Sequence, residues 1–214
     1  MRIRRVERNA ENRMANWVSA GCGVIANELA QAMEKRGQKL YGVVNRTQEK
    51  AEAFAEKYGV QKVFASFEEV CADPAVDIIY ISTPHNTHIH FLRKALAAGK
   101  HVLCEKPMAT TLEECEEMVK TARETGKFLM IGHNQRLAKA HAVAKELIDQ
   151  GMIGRIITFR TTFGHGGPET WSVDPGKNTW FFDKNKAAMG AMADLGIHKT
   201  DLIQFLTGQH VVRT

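Results

Sequence analysis

Asp194 and His198, in the stretch "ADLGIHKTD", stand four residues apart and so share one face of a helix. An imidazole titrating near neutrality beside a carboxylate is a minimal device for moving a proton. Taken alone, the same pair equally suits a solvated helix face, so the rest of the chain has to decide. A second stretch, "GCGVIA" from Gly21 to Ala26, matches the pattern G-x-G-x-x-G/A. It follows an apolar run and opens an amphipathic one. In that context the backbone amides and the helix N-terminus hold a pyrophosphate. Gly21 permits the tight turn and Gly23 lets the phosphate approach. Val24 and Ile25 begin the helix, and Ala26 lets helix and strand pack closely.

Three further stretches fall where consecutive strands end. "NRT" has Asn45 and Arg46 where an NAD site carries an acid for the ribose 2′-hydroxyl. A guanidinium there pairs with a 2′-phosphate, so NADP is expected to be preferred over NAD. "STPHNTH" supplies Thr83 and Pro84, suited to an N-cap and a first helical position. With His85 and His88 they are placed against the nicotinamide or its ribose. His85, His88 and His90 lack a carboxylate or cysteine at ligand spacing, so no metal site is expected. "CEKPMA" brings Glu105 and Lys106 out of a buried strand at the same crevice, an unusual place for two charges.

The elements that would position these residues alternate. Apolar, β-branched runs "NWVSA", "KLYGVVN", "QKVFA", "VDIIYIST", "HVLCEKP" and "KFLMIG" are separated by amphipathic stretches. Ser66 with Glu69, and Thr111 with Glu114, have capping-box spacing, and Gly59 closes a helix. Six strands alternating with helices predict an α/β fold, a Rossmann-type doubly wound parallel sheet over residues 14–150. Residues 151–214 read as the beginning of a second, incomplete α/β domain. There "RIITFRTTFG" predicts a strand over Arg155–Phe163 with an open edge prone to self-association.

Of the 214 residues, 44% are hydrophobic and 25% charged, an ordinary globular balance. No apolar run approaches the ~20 residues that span a bilayer. The net charge is +5, of which residues 1–13, with five arginines and two glutamates, hold +3. That arm lacks aromatic residues, so nucleic-acid binding is not expected. It also lacks an apolar core and reads as a flexible basic extension, with Met14 as the natural first residue. Four cysteines without CxxC spacing suit reduced thiols in a cytoplasmic protein.

The stretches "GCGVIA", "STPHNTH", "GKHVLCEKP" and "GAMADLGIHKTDLI" occur in the order seen in the Gfo/Idh/MocA family of NAD(P)-dependent sugar and polyol dehydrogenases. The resemblance covers about Met14 to Gly208. It implies a Rossmann domain followed by an α/β domain with an open, largely antiparallel sheet, and homo-oligomers in the full-length family. It also implies Lys106, Asp194 and His198 as catalytic groups acting on a sugar, polyol or related diol. His198 would take the hydroxyl proton while hydride leaves the same carbon. Asp194 would orient the imidazole or hold a substrate hydroxyl, and Lys106 would stabilise charge on the substrate oxygen. A cis Lys106-Pro107 peptide is expected with it. Two departures stand out: "GHNQR" places His133 where the family has an aromatic residue, and family members continue beyond Thr214. The alternative is a catalytically silent NAD(P)-binding sensor or a truncated remnant.

Overall fold

The structure, a computed structural model, describes residues 14–173, 176–187 and 189–213. The basic extension of residues 1–13 lies outside the described residues. Six parallel strands form one sheet: β1 (Trp17–Ala20), β2 (Gly42–Val44), β3 (Lys62–Phe64), β4 (Ile78–Ile81), β5 (His101–Cys104) and β6 (Leu129–Ile131). Their order is β3-β2-β1-β4-β5-β6, the doubly wound arrangement with its switch point between β1 and β4.

Side-chain alternation sorts the helices onto the two faces. Val18, Ala20, Ile79, Ile81, Val102 and Cys104 point to one side. There they meet Phe67 and Val70 of α3 (Phe67–Ala72), Leu92 and Leu96 of α4 (His88–Ala97), and Met118 of α5 (Leu112–Thr125). Val43 and Tyr80 point to the other side. They pack with Ala26 and Ala30 of α1 (Val24–Glu34) and Phe54 of α2 (Gln48–Tyr58). The central strands β1, β2 and β4 are thus buried on both faces, which is why they read as continuous apolar runs, while the edge strands β3 and β6 expose Lys62 and Met130.

The helix signals are realised in detail. Ser66 Oγ accepts from the Glu69 amide at 3.2 Å, and Glu69 Oε2 accepts from the Ala65 amide at 3.1 Å. Thr111 and Glu114 repeat this ahead of α5. Gly59 ends α2 in the left-handed region at φ 61°.

The strand expected over Arg155–Phe163 does not form; these residues carry no ladder. Among the described residues no strand lies beside them, and an extended segment without a partner cannot satisfy its backbone groups as a sheet does. The chain beyond residue 151 is nevertheless tied down. After the short helix α7 (Pro168–Trp171), a π turn (Met192–Gly196) runs into α8 (Ile197–Thr207), and α8 packs against α6 (Lys139–Asp149). Among the described residues, no helix is long and apolar enough to cross a membrane.

Candidate functional site

The glycine loop joins β1 to α1 at the carboxyl edge of the sheet. Gly21 takes φ 109°, and a Cβ there would stand 3.0 Å from both the carbonyl oxygen and Oγ of Ser82. Only glycine fits. A Cβ on Gly23 would meet nothing nearer than that carbonyl at 4.0 Å, so open space lies above it. No side chain caps α1 and no acid occupies its first turn, which leaves the amides of Val24, Ile25 and Ala26 available to an anion. The Ala26 side chain is fully buried against the sheet. This chemistry fits a dinucleotide pyrophosphate.

At the end of β2, Asn45 donates from Nδ2 to the Thr47 carbonyl at 3.0 Å, and Arg46 is exposed. No acid stands there. After β4 the chain turns through Thr83 and Pro84 into a 3₁₀ turn (His85–Thr87) and then α4. His85 is 4% exposed, its Nδ1 3.1 Å from the Ala187 carbonyl and its ring set edge-on to Trp180. Burial pushes its pKa down to about 4. Sequence reasoning sets His88 against the cofactor. The structure instead buries it completely beneath the crevice, with both ring nitrogens facing backbone carbonyls.

Glu105 and Lys106 leave β5 in opposite senses. Tyr80 donates its hydroxyl to Glu105 Oε1 at 2.8 Å, and a Cβ on Gly132 would crowd the same carboxylate at 3.0 Å. Burial raises the Glu105 pKa, against the pull of Tyr80 and Lys106. The Lys106-Pro107 peptide is cis. Lys106 Nζ donates to Asp194 Oδ1 at 2.9 Å and to the Asp194 carbonyl at 2.7 Å. Asp194 Oδ2 lies 3.2 Å from His165 Nε2. Burial pushes the Asp194 carboxyl up, but Lys106 and His165 more than offset it and hold the acid below its usual range.

His198 is 9% exposed and meets Phe163 edge-on, with ring centroids 5.5 Å apart. Its Nδ1 is buried without a hydrogen-bond partner. Asp194 therefore does not orient the imidazole, because both carboxylate oxygens are directed to Lys106 and His165. Burial, with Lys106 and His133 nearby, pushes the His198 pKa down to about 4. A Cβ on Gly196 would come 2.6 Å from Met192 Sδ, the end of an exposed and flexible side chain that can move aside, so this contact alone does not demand glycine.

Sequence reasoning missed what holds α8 in place. Arg136 grips Asp201 with two nitrogens, Nε at 2.7 Å from Oδ2 and Nη2 on Oδ1. Lys199 donates to Gln135 Oε1 at 2.8 Å. The "GHNQR" segment thus braces the helix that carries His198. A signal for it was present, since Asp194, His198 and Asp201 at i, i+4 and i+7 lie on one helical stripe. His165 had no such signal, because it approaches Asp194 from an irregular loop 29 residues away.

Residues 15–133 match an oxidoreductase family described as an NAD-binding Rossmann fold, and residues 141–214 match the Gfo/Idh/MocA C-terminal domain. The chain belongs to the Gfo/Idh/MocA family. It is 35% identical over 194 residues to 1,5-anhydro-D-fructose reductase of Ensifer adhaerens, covering 90% of this chain and 56% of that relative. A solved structure of levoglucosan dehydrogenase in complex with NADH and levoglucosan aligns with TM-score 0.80 and 30% identity over 91% of this chain and 54% of its own. A Desulfitobacterium hafniense oxidoreductase whose name gives NADPH as coenzyme aligns with TM-score 0.79 and 28% identity, covering 92% and 56%. The chain spans about half the length of the curated family relatives it matches.

Proposed function

We propose that this chain carries the cofactor and catalytic groups of an NAD(P)-dependent oxidoreductase acting on a secondary alcohol or ketone of a sugar or polyol. The observation that carries the reading is the Lys106–Asp194 pair, set beside His198 at the carboxyl end of a doubly wound parallel sheet. Such crevices, outside the carboxyl ends of the strands, are where ligands bind in these folds. Relatives named for anhydrosugars support the carbohydrate class.

Gly21, Gly23 and the first amides of α1 would hold the pyrophosphate. Asn45 and Arg46 would face the adenine ribose, where Arg46 favours a 2′-phosphate and hence NADP. Thr83, Pro84 and Glu105 would border the nicotinamide, which when bound supplies the hydride acceptor or donor. His198, neutral above about pH 4, takes the proton from the substrate hydroxyl in the oxidative direction. Lys106 donates to the same oxygen and stabilises the charge that develops on it. Asp194 stays ionised and accepts from a neighbouring substrate hydroxyl while holding the ammonium in line.

Titration with NADP⁺ and NAD⁺, then a turnover screen over anhydrosugars, aldoses and polyols, tests the reading. Cofactor binding with turnover that falls steeply in Lys106→Ala is the expected result. Cofactor binding with no turnover across the panel would instead support a silent nucleotide-binding protein.

A further inference from the structure

His88 stands on the first turn of α4, fully buried, and its ring spans two loops. Nδ1 lies 2.7 Å from the Pro107 carbonyl oxygen and Nε2 lies 2.8 Å from the Thr83 carbonyl oxygen. Carbonyl oxygens only accept, so each contact calls for an N–H. Both are satisfied together only by a ring carrying two protons. Burial and the neighbouring Lys106 outweigh the two carbonyls and hold the ring below the usual histidine range, so near neutral pH one nitrogen donates and the other meets its carbonyl without a proton. An apolar side chain of similar volume would fill the space without burying two polar nitrogens. The geometry therefore gives the ring a task that packing alone does not require.

The two carbonyls belong to the loops leaving β4 and β5, neighbouring strands of the sheet. Pro107 directly follows Lys106, whose side chain must cross to Asp194. We propose that His88 is a positioning residue for Lys106, its ring wedged between the Pro107 and Thr83 carbonyls and hydrogen-bonded to one of them, so that the turn after β5 aims the ammonium at Asp194. This rests on the catalytic reading of Lys106. It differs from a cofactor contact, because no polar atom of the ring faces the crevice.

The test compares His88→Met, which keeps the volume and loses the hydrogen bond, with His88→Gln, which can keep it. Lysine-resolved acylation followed by mass spectrometry reads the placement of Lys106 without any turnover, with exposed Lys120 as internal reference. In folded His88→Met, Lys106 should acylate about tenfold faster, as expected of a group freed by local opening, and His88→Gln should fall between. NADP⁺ affinity should change by less than about threefold. Where the parent turns over, kcat should fall by about 10²-fold, the cost of a small misplacement. In a Lys106→Ala background His88→Met should then add almost nothing. Unchanged Lys106 acylation in either folded variant would overturn the proposal. So would additive losses, or a tenfold loss of cofactor affinity, which would make His88 a cofactor contact. A parent without turnover would defeat the functional reading and leave the acylation result to decide this one. If His88→Met does not fold, as read by circular dichroism, His88→Gln decides.

Discussion

Lys106 reaches Asp194 twice, through the carboxylate at 2.9 Å and through the backbone carbonyl at 2.7 Å, across 88 residues of chain. The double grip fixes the ammonium more tightly than a single ion pair between mobile side chains, because the carbonyl belongs to the π turn itself. Lys106→Ala should lower turnover by about 10²–10³-fold, as removal of a donor to a developing oxyanion does. Asp194→Asn keeps the shape and loses the charge, and should cost less. Steady-state kinetics beside cofactor binding constants measure this; equal turnover in Lys106→Ala would remove the lysine from the chemistry.

Arg46 stands exposed at the end of β2 with no acid beside it. NADP⁺ should bind more tightly than NAD⁺. Arg46→Ala should weaken NADP⁺ by about 1–3 kcal/mol, the worth of a hydrogen bond to a charged group, with little effect on NAD⁺. Calorimetry on both coenzymes checks it, and a clear preference for NAD⁺ would contradict it.

Gly21→Ala places a methyl 3.0 Å from two oxygen atoms of Ser82 at φ 109°. Strain of this kind costs about 1–3 kcal/mol. Chemical denaturation should register that loss, and cofactor affinity should fall with it as the loop moves.

Arg136→Ala leaves the Asp201 carboxylate, 6% exposed, without its bidentate partner. The cost should be about 1–3 kcal/mol, moderated because the arginine is itself partly exposed. Hydrogen exchange should show α8 opening more often, and turnover should fall because His198 rides on that helix. Unchanged protection in α8 would show that packing against α6 suffices.

Acid should destabilise the fold in a defined window. His85 and His198 have native pKa values of about 4, against 6.5 for an unperturbed histidine. Between those values the unfolded chain binds protons that the native chain does not. Stability is therefore fully present above pH 6.5 and is lost as the pH falls toward 4. Denaturation midpoints at pH 7 and pH 5 measure it; a shallower slope in His85→Gln/His198→Gln than in the parent would confirm these two as sources, with buried His88 and half-buried His133, also held below the usual range, keeping the remainder.

The glycine loop, the six strands, both capping boxes and the placement of Lys106 at a strand end were legible in the sequence. Each depends on interactions within a few residues or on apolar runs whose period reports burial directly. What lay beyond it were the relationships between distant segments. Asp194 and His198 share a helical stripe, and spacing alone makes them partners; the fold sends the Asp194 carboxylate to Lys106 and His165 instead. The alternating stretch Arg155–Phe163 has the pattern of a strand, yet a strand exists only where a second one accepts its hydrogen bonds. His88 has the composition of a crevice residue, but whether a histidine on the first turn of a helix faces a ligand or the protein interior is set by what packs over that turn. Local chemistry decided which groups this protein possesses, and long-range packing decided which of them meet, because hydrogen bonds and charge pairs are short-ranged and only the folded chain brings residues 106, 165 and 194 within their reach.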